Sequence, residues 1–159
     1  MQTKQDLELW YQIPDQWGYF SNPEDLRRRE LIFSLIPEHV IYKKAIDIGC
    51  GEGFITRAIP ASIVHGLDLS DTAVSRLPKD IKAVIHPEDK YDLVVSTGTL
   101  YQQYDHKSIY DTIMSCASEH ILISGISDWL IDYDFGEVIN TISFPYREFN
   151  QRTTLYRIK

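Results

Sequence analysis

The fold of this chain is decided by one short stretch, Asp47-Ile48-Gly49-Cys50-Gly51-Glu52-Gly53-Phe54. Residues 44–49, with Ala45, Ile46 and Ile48, predict a strand that leads into this stretch. Residues 54–59 predict a brief helix that ends before Pro60. Glycine permits positive φ and allows a ligand to come close to the backbone. A strand, a glycine-rich turn and a helix in this order are typical of α/β proteins that bind a nucleotide.

The middle of the chain alternates aliphatic runs with short helical patterns. Unbroken aliphatic runs indicate strands that are buried on both faces of a sheet. Their alternation with helices predicts a parallel sheet built from β-α-β units. The predicted strands are residues 63–67, 81–85, 91–96 and 121–124, and the predicted helices are residues 23–36, 71–77 and 106–117.

The last third of the chain predicts a different arrangement. Residues 135–142 indicate a short helix, and residues 144–149 and 153–158 indicate two strands joined through Asn150-Gln151. A turn this tight allows only an antiparallel pair. We therefore predict one compact α/β domain over residues 1–159, with a Rossmann-like, mostly parallel sheet and a terminal antiparallel hairpin.

Composition narrows the classes of function. A chain of 159 residues is one domain's worth, and contents of 43% hydrophobic and 25% charged residues are ordinary for a globular protein. Two cysteines exclude a disulfide scaffold and a cysteine-rich zinc site, and the histidines are too scattered to predict another metal site. Without a membrane-length apolar run or a signal-peptide pattern, we expect a cytoplasmic protein with no membrane partner.

A second acid, Asp68, ends the next predicted strand. It is placed to accept hydrogen bonds from a ribose diol or, alternatively, to cap a helix. A dinucleotide loop reads G-x-G-x-x-G, whereas this loop reads G-x-G-x-G directly after the strand that carries Asp47. A carboxylate there repels a pyrophosphate and favours a cationic ligand group. The amino and sulfonium groups of S-adenosylmethionine (SAM) are such groups.

Residues 45–68, followed by Tyr91-Asp92-Leu93-Val94-Val95-Ser96, resemble the class I SAM-dependent methyltransferases, and so does the terminal antiparallel strand pair. The front segment Pro14-Asp15-Gln16-Trp17-Gly18-Tyr19, with Arg27 in the following helix and Leu35-Ile36-Pro37 at its end, is similar to nodulation protein S-like methyltransferases. The resemblance implies SAM as cofactor and S-adenosylhomocysteine (SAH) as product. It also implies that residues 1–40 form part of the cover of the site.

The resemblance implies a role for each matching residue. The glycine loop and Asp47 surround the methionine moiety, with Arg27 and Trp17 closing over it, while Asp68 binds the ribose and Leu69 lies beside the adenine. Residues 86–89 lie where the family often holds the adenine amino group, with Glu88 or Asp89 as the acid. The residues predicted to bind the cofactor are Trp17, Arg27, Asp47, Gly49, Cys50, Gly51, Gly53, Phe54, Asp68, Leu69, Ser70, His86, Glu88, Ser96, Thr97 and Tyr101.

The predicted activity is methyl transfer from SAM to a nitrogen or oxygen atom of a small-molecule, saccharide or peptide-like acceptor. An acceptor that must lose a proton needs a general base, for which Tyr101, Tyr104 and His106 are the candidates. Ser96-Thr97-Gly98-Thr99 stands where adenine-type DNA methyltransferases have Asp/Asn-Pro-Pro-Tyr/Phe, and the net charge is −7, so we expect no DNA partner.

Three other functions remain open from the sequence. They are a SAM- or SAH-binding protein without catalysis, an RNA-modifying methyltransferase and a nucleotide-dependent oxidoreductase. We expect a monomer or a homodimer. Because few residues remain after the fifth strand, the acceptor site is expected from the front segment and residues 96–106 and 127–133, or from a partner subunit.

Overall fold

A seven-stranded sheet forms the centre of the computed structural model, which describes residues 1–159. Its strands are β1 (Tyr42–Ile48), β2 (Ala61–Leu67), β3 (Lys82–Val84), β4 (Tyr91–Thr97), β5 (Ala117–Ile126), β6 (Glu137–Tyr146) and β7 (Phe149–Arg157). In space they follow the order β3-β2-β1-β4-β5-β7-β6. Strands β1 to β5 pair in parallel, and β7 is antiparallel to both β5 and β6. The predicted α/β class with a reversed terminal pair is confirmed.

The helices are short, and several differ from the prediction. They are α1 (Lys4–Trp10), α2 (Pro23–Phe33), α3 (Asp71–Val74) and α4 (His106–Cys116), with a 3-10 turn at Thr56–Ala58 in place of the helix expected over residues 54–59. Helix α1 is additional to the predicted elements and begins at a capping box between Thr3 and Asp6. No helix is both long enough and apolar enough to cross a membrane.

The two faces of the sheet are covered by different helices. Neighbouring residues of β1 are both fully buried, Ala45 in the core that contains Ile32 of α2, and Ile46 in the core that contains Ile113 of α4. Successive side chains of a strand point to opposite faces, so a strand covered on both sides has no polar face. This is why the central strands read as unbroken aliphatic runs.

The helix predicted over residues 135–142 is wrong. Residues 137–146 form β6, which pairs with β7 along its length, and the turn of this hairpin lies at Arg147-Glu148 rather than at Asn150-Gln151. β-Branched residues such as Val138, Ile139 and Thr141 favour a strand, and Arg147 adopts a left-handed φ of 53° at the turn. The corrected hairpin is longer and brings residues 146–151 to the same end of the sheet as the glycine loop.

Candidate functional site

A cavity of about 590 Å³ lies at the carboxyl ends of the parallel strands. Its walls come from the loops that follow β1 to β5 and from the segment that precedes β1. Open α/β sheets bind their ligands at this edge. The residues of the predicted site that line the cavity are Trp17, Asp47, Gly49, Cys50, Gly51, Phe54, Asp68, Leu69, His86, Thr97, Tyr101 and Tyr104.

The glycine loop forms the floor of the cavity in a conformation that other residues rarely adopt. Gly49 and Gly51 have φ of 82° and 53°. A Cβ atom on Gly49 would collide with the side chain of Thr99, and one on Gly51 would lie 2.7 Å from the Tyr11 hydroxyl. The loop therefore needs glycine both for its backbone angles and for the close approach of neighbouring groups.

Asp47 lies next to the last residue of β1. One of its carboxylate oxygens has a hydrogen-bond partner, and the other has none. Its side chain is 1% exposed, and Oδ2 accepts a hydrogen bond from Thr56 Oγ1 at 2.7 Å. Oδ1 is buried and has no hydrogen-bond partner. Burial and, to a smaller extent, the charge of Asp68 raise the pKa of Asp47 to about 7, against the lowering effect of the Thr56 bond. A buried carboxylate oxygen without a partner, in the wall of a cavity, points to a ligand that donates to it.

Asp68 supports the glycine loop and also faces the cavity. Its Oδ2 accepts from the backbone N–H of Gly51 at 2.8 Å, and its Oδ1 accepts from that of Ser70 at 2.9 Å. Burial raises the pKa of Asp68, and these two backbone bonds oppose that rise. A carboxylate has about four acceptor positions, so both oxygens keep capacity for ligand hydroxyl groups.

Arg28 of α2 lines the cavity, whereas the sequence predicted Arg27 there. Arg27 is exposed and does not line the cavity, whereas Arg28 is 6% exposed and does. The Arg28 guanidinium lies 4.8 Å from the ring centres of both Tyr19 and Tyr146. Its Nε and Nη2 atoms are buried without a hydrogen-bond partner. A buried cation with free donors points to an anionic ligand group.

Asp25 is the only acid that forms an ion pair with Arg28, and it also joins α2 to the β6–β7 turn. The Nε of Arg28 lies 3.4 Å from Asp25 Oδ1, without hydrogen-bond geometry. Asp25 is fully buried and accepts from Tyr146 Oη at 2.5 Å and from Arg147 Nη2 at 2.8 Å. Its bonding capacity is therefore largely taken by the hairpin, which leaves the Arg28 donors free to face the cavity.

The chain before β1 contributes residues to the cavity wall and is bonded to the body of the domain. The backbone N–H of Asp15 donates to Glu52 of the glycine loop at 3.1 Å, and the carboxylate of Asp15 accepts from Tyr19 N at 2.8 Å. Trp17, 41% exposed, stacks on Tyr19 with ring centres 6.0 Å apart. Thr72 Oγ1 donates to Glu8 of α1 at 2.7 Å. The segment is thus held to the body of the domain through Asp15 and through α1.

Aromatic side chains from two loops and from the start of β7 form a further wall of the cavity, here called the aromatic wall: Tyr101, Tyr104, Trp129 and Phe149. Ring centres are 5.7 Å apart for Tyr101 and Trp129, and 5.0 Å apart for Trp129 and Phe149. The Tyr101 hydroxyl accepts from the backbone N–H of Ile126 at 2.8 Å, and burial raises the pKa of Tyr101 to about 12. Burial also raises the pKa of Tyr104.

Two predicted residues that do not line the cavity hold the loops around it instead. Ser96 is 1% exposed, and its Oγ donates to the Ile48 carbonyl at 2.7 Å. Ser70 is fully buried, and its Oγ accepts from Ala73 N at 3.0 Å, so it caps α3.

Three further predicted residues also lie away from the cavity. Gly53 faces Leu77, which lies 2.7 Å from where its Cβ atom would be. Glu88 is exposed and pairs with Lys82 at 2.7 Å. His106, predicted as a catalytic candidate, begins α4 and shares a hydrogen bond of 2.7 Å with Tyr133, because the helix turns its side chain away from the cavity.

Other cavity residues were not predicted from the sequence. The most informative is Arg28, and helical spacing places it on the same face of α2 as the buried residues Asp25 and Ile32. That spacing is a signal that separates Arg28 from Arg27. The lining residues of the hairpin, Tyr146, Arg147, Phe149 and Gln151, carry no comparable signal, because only the antiparallel pairing of β6 and β7 brings them to this edge.

The strand order with a reversed β7, together with a glycine loop at the end of β1, defines the fold of the class I SAM-dependent methyltransferases. The chain is similar to the N-methyltransferase NodS from Bradyrhizobium japonicum WM9 in complex with SAH, with a TM-score of 0.82 and 14% identity over 99% of both chains. The front-segment resemblance to nodulation protein S-like methyltransferases is reflected in this match.

The chain is also similar to magnesium protoporphyrin IX methyltransferase from Synechocystis PCC 6803. The structure with bound SAM has a TM-score of 0.72 and 13% identity over 98% of this chain and 97% of that one. The structure with bound SAH has a TM-score of 0.72 and 12% identity over 98% and 99%. At these identities the likeness shows the fold. No family model matches the sequence, and no curated protein does.

Proposed function

We propose that the chain is a SAM-dependent methyltransferase that transfers a methyl group to a nitrogen or oxygen atom of a small-molecule, saccharide or peptide-like acceptor. The assignment of SAM as the cofactor rests on one observation. Beside the glycine loop, a single cavity presents a buried carboxylate oxygen of Asp47 and the buried Nε and Nη2 atoms of Arg28, none of which has a hydrogen-bond partner. An α-amino acid has the ammonium and carboxylate groups that satisfy both. The methionine end of SAM and SAH is such a group.

The rest of the cavity suits the adenosine end of the same ligand. Asp68 keeps acceptor positions for the ribose hydroxyls beside its bonds to Gly51 and Ser70. Leu69 and Ile85 also line the cavity, although 57% and 90% of their surfaces are exposed. Two exposed apolar side chains at the edge of a cavity suit a flat ring, because the ring removes their surfaces from water. We assign them to the adenine.

The acceptor is assigned to the aromatic wall. SAM, when bound, supplies a methyl group activated by its sulfonium. The chain's own residues orient the acceptor and exclude water, which is the main contribution an enzyme makes to such a displacement. Tyr101 is a poor general base near neutral pH, because its hydroxyl is held by Ile126 N and its pKa is about 12. A weakly basic amine needs no such base, so we favour nitrogen over oxygen as the methylated atom.

Calorimetric titration tests the cofactor assignment. Wild-type protein is titrated with SAH, with NAD and with 5′-methylthioadenosine, which lacks the amino acid end. We expect SAH to bind, NAD to give no heat of binding, and 5′-methylthioadenosine to bind more weakly than SAH. Binding of NAD without binding of SAH would overturn the proposal and favour an oxidoreductase.

Turnover separates an enzyme from a binding protein with the same fold. Methyl-labelled SAM is incubated with panels of amines, saccharides and short peptides, and with bulk RNA as the competing acceptor class. Label transferred to a small acceptor supports the proposal. Label found only in RNA would identify the acceptor as RNA, and SAM binding without transfer to any acceptor would identify a binding protein. Size-exclusion chromatography with light scattering tests the proposed monomer or homodimer.

A further inference from the structure

Thr56 holds one end of the Asp47 carboxylate from behind the cavity wall. Its Oγ1 donates to Asp47 Oδ2 at 2.7 Å, and both side chains are 1% exposed. Thr56 is not among the residues that line the cavity, whereas Asp47 is. Any influence of the Thr56 hydroxyl on a ligand in the cavity therefore passes through Asp47.

We propose that Thr56 is a positioning residue for the methionine end of the cofactor: its hydroxyl fixes the Asp47 carboxylate with Oδ1 free toward the ligand ammonium. This inference rests on the proposed function, in which Asp47 pairs with the amino group of SAM. The geometry supports it, because the hydroxyl occupies Oδ2 alone and leaves Oδ1 without a hydrogen-bond partner.

The groups around Asp47 determine the direction of the effect. Burial and the charge of Asp68 both raise the pKa of Asp47, and the Thr56 bond lowers it. Burial and the neighbouring acids also raise the pKa of the Cys50 thiol, so that thiol adds no charge near neutral pH. Arg28 lines the same cavity and brings its guanidinium charge to it. Loss of the Thr56 hydroxyl therefore raises the pKa of Asp47 and leaves less carboxylate ionised to bind an ammonium group.

The experiment compares Thr56→Val with Thr56→Ser across pH. SAH and 5′-methylthioadenosine are titrated by calorimetry from about pH 6 to about pH 8.5. The ligand's own amino group titrates identically against every protein, so the difference between proteins reports Asp47. In wild type we expect SAH affinity to fall as the pH drops through the pKa of Asp47, which is raised to about 7. In Thr56→Val we expect this midpoint about one unit higher and SAH affinity about fivefold lower near pH 7, because the ionised fraction of Asp47 then falls from about one half to about one tenth.

Thr56→Ser keeps the hydroxyl and is expected to keep the wild-type profile. The affinity for 5′-methylthioadenosine is expected to be the same in all three proteins, because that ligand has no ammonium group for Asp47. A general loosening of the glycine loop would instead weaken both ligands together. Should Thr56→Val fail to fold, Thr56→Ala removes the same hydroxyl with less bulk at the same position.

Two results would overturn the inference while leaving the proposed function intact. One is SAH affinity that falls in Thr56→Val with an unshifted pH midpoint. The other is an equal loss for SAH and 5′-methylthioadenosine, which would make Thr56 a structural residue of the loop. Absence of SAH binding in wild type would refute the proposed function, and this inference with it.

Discussion

The two ends of the cavity differ in how their polar groups are satisfied. The charged end is formed by Arg28 and Asp47 beside the glycine loop. Buried polar atoms of both residues have no hydrogen-bond partner there. At the aromatic wall, the Tyr101 hydroxyl is already bonded to the backbone of Ile126. Free buried groups cost stability in the absence of a ligand, so a protein keeps them where a ligand completes them. The charged end therefore carries information about the ligand, and the aromatic wall mainly offers shape and surface.

Arg28→Met tests the charged end most severely. The substitution keeps an unbranched side chain between Tyr19 and Tyr146 but removes the guanidinium that we assign to the cofactor carboxylate. We expect SAH to bind about 100-fold more weakly, because charge-assisted hydrogen bonds in a buried site are lost. The affinity for 5′-methylthioadenosine, which has no carboxylate, is expected to stay near the wild-type value. Calorimetry measures both.

The neighbouring residue provides a matched control. Arg27→Met makes the same chemical change one position earlier on α2, at an exposed side chain outside the cavity. We expect wild-type SAH affinity for this variant. Equal losses in the two variants would show that the net charge of α2 attracts the ligand and that the buried position of Arg28 has no special role.

Asp47→Asn tests the second half of the charged end and has the next largest expected effect. Removal of the negative charge is expected to weaken SAH binding about 30-fold near pH 8, because the ligand ammonium loses its partner. The same variant is expected to be more stable than wild type without ligand near pH 8, by up to about 4 kcal/mol, because ionising the buried carboxyl costs about 1.4 kcal/mol for each pH unit between 3.8 and about 7. Loss of affinity combined with a gain in stability would mark a residue kept for binding.

The sign of the stability change follows from linkage. Burial raises the pKa of Asp47 from 3.8 to about 7, so between these values the folded protein holds a proton that the unfolded chain has released. The free energy of unfolding of wild type therefore falls as the pH rises from about 4 to about 7. In Asp47→Asn, the free energy of unfolding is expected not to show this decrease with pH. Chemical denaturation at several pH values measures it, and parallel curves for the two proteins would refute the raised pKa.

The sequence predicted the residues around the glycine loop better than the rest of the site, for physical reasons. Asp47, Gly49, Gly51 and Asp68 belong to contiguous motifs whose backbone geometry is local, and all four line the cavity. The choice between Arg27 and Arg28 depends on which of them lies on the buried face of α2, and an error of one residue along the helix gives the wrong one. Strand β6 was predicted in part as a helix because its residues are mostly exposed and show no clear period. Only pairing with β7 determines its conformation.

Trp129→Ala tests the aromatic wall. We expect the KM for the acceptor found in the labelling screen to rise about 10-fold, because a large stacking surface is lost. The KM for SAM is expected to stay unchanged, since Trp129 contacts Tyr101 and Phe149 of the wall. Steady-state kinetics with each substrate varied in turn separates the two. A rise in the KM for SAM alone would show that Trp129 contacts the cofactor and not the acceptor. The aromatic wall and the charged end would then serve the same ligand.

His106→Ala has the smallest expected effect and tests whether the start of α4 supplies a general base. The sequence made His106 a catalytic candidate because it follows Tyr104 closely, but the structure pairs its Nδ1 with Tyr133 outside the cavity. We expect kcat to stay within about twofold of wild type, since general-base catalysis contributes about 100-fold or more where it operates. A fall of kcat by about 100-fold, with the KM for SAM unchanged, would show that His106 reaches the acceptor in the working enzyme. The start of α4 would then take part in the proton transfer, and an oxygen acceptor would become the better assignment.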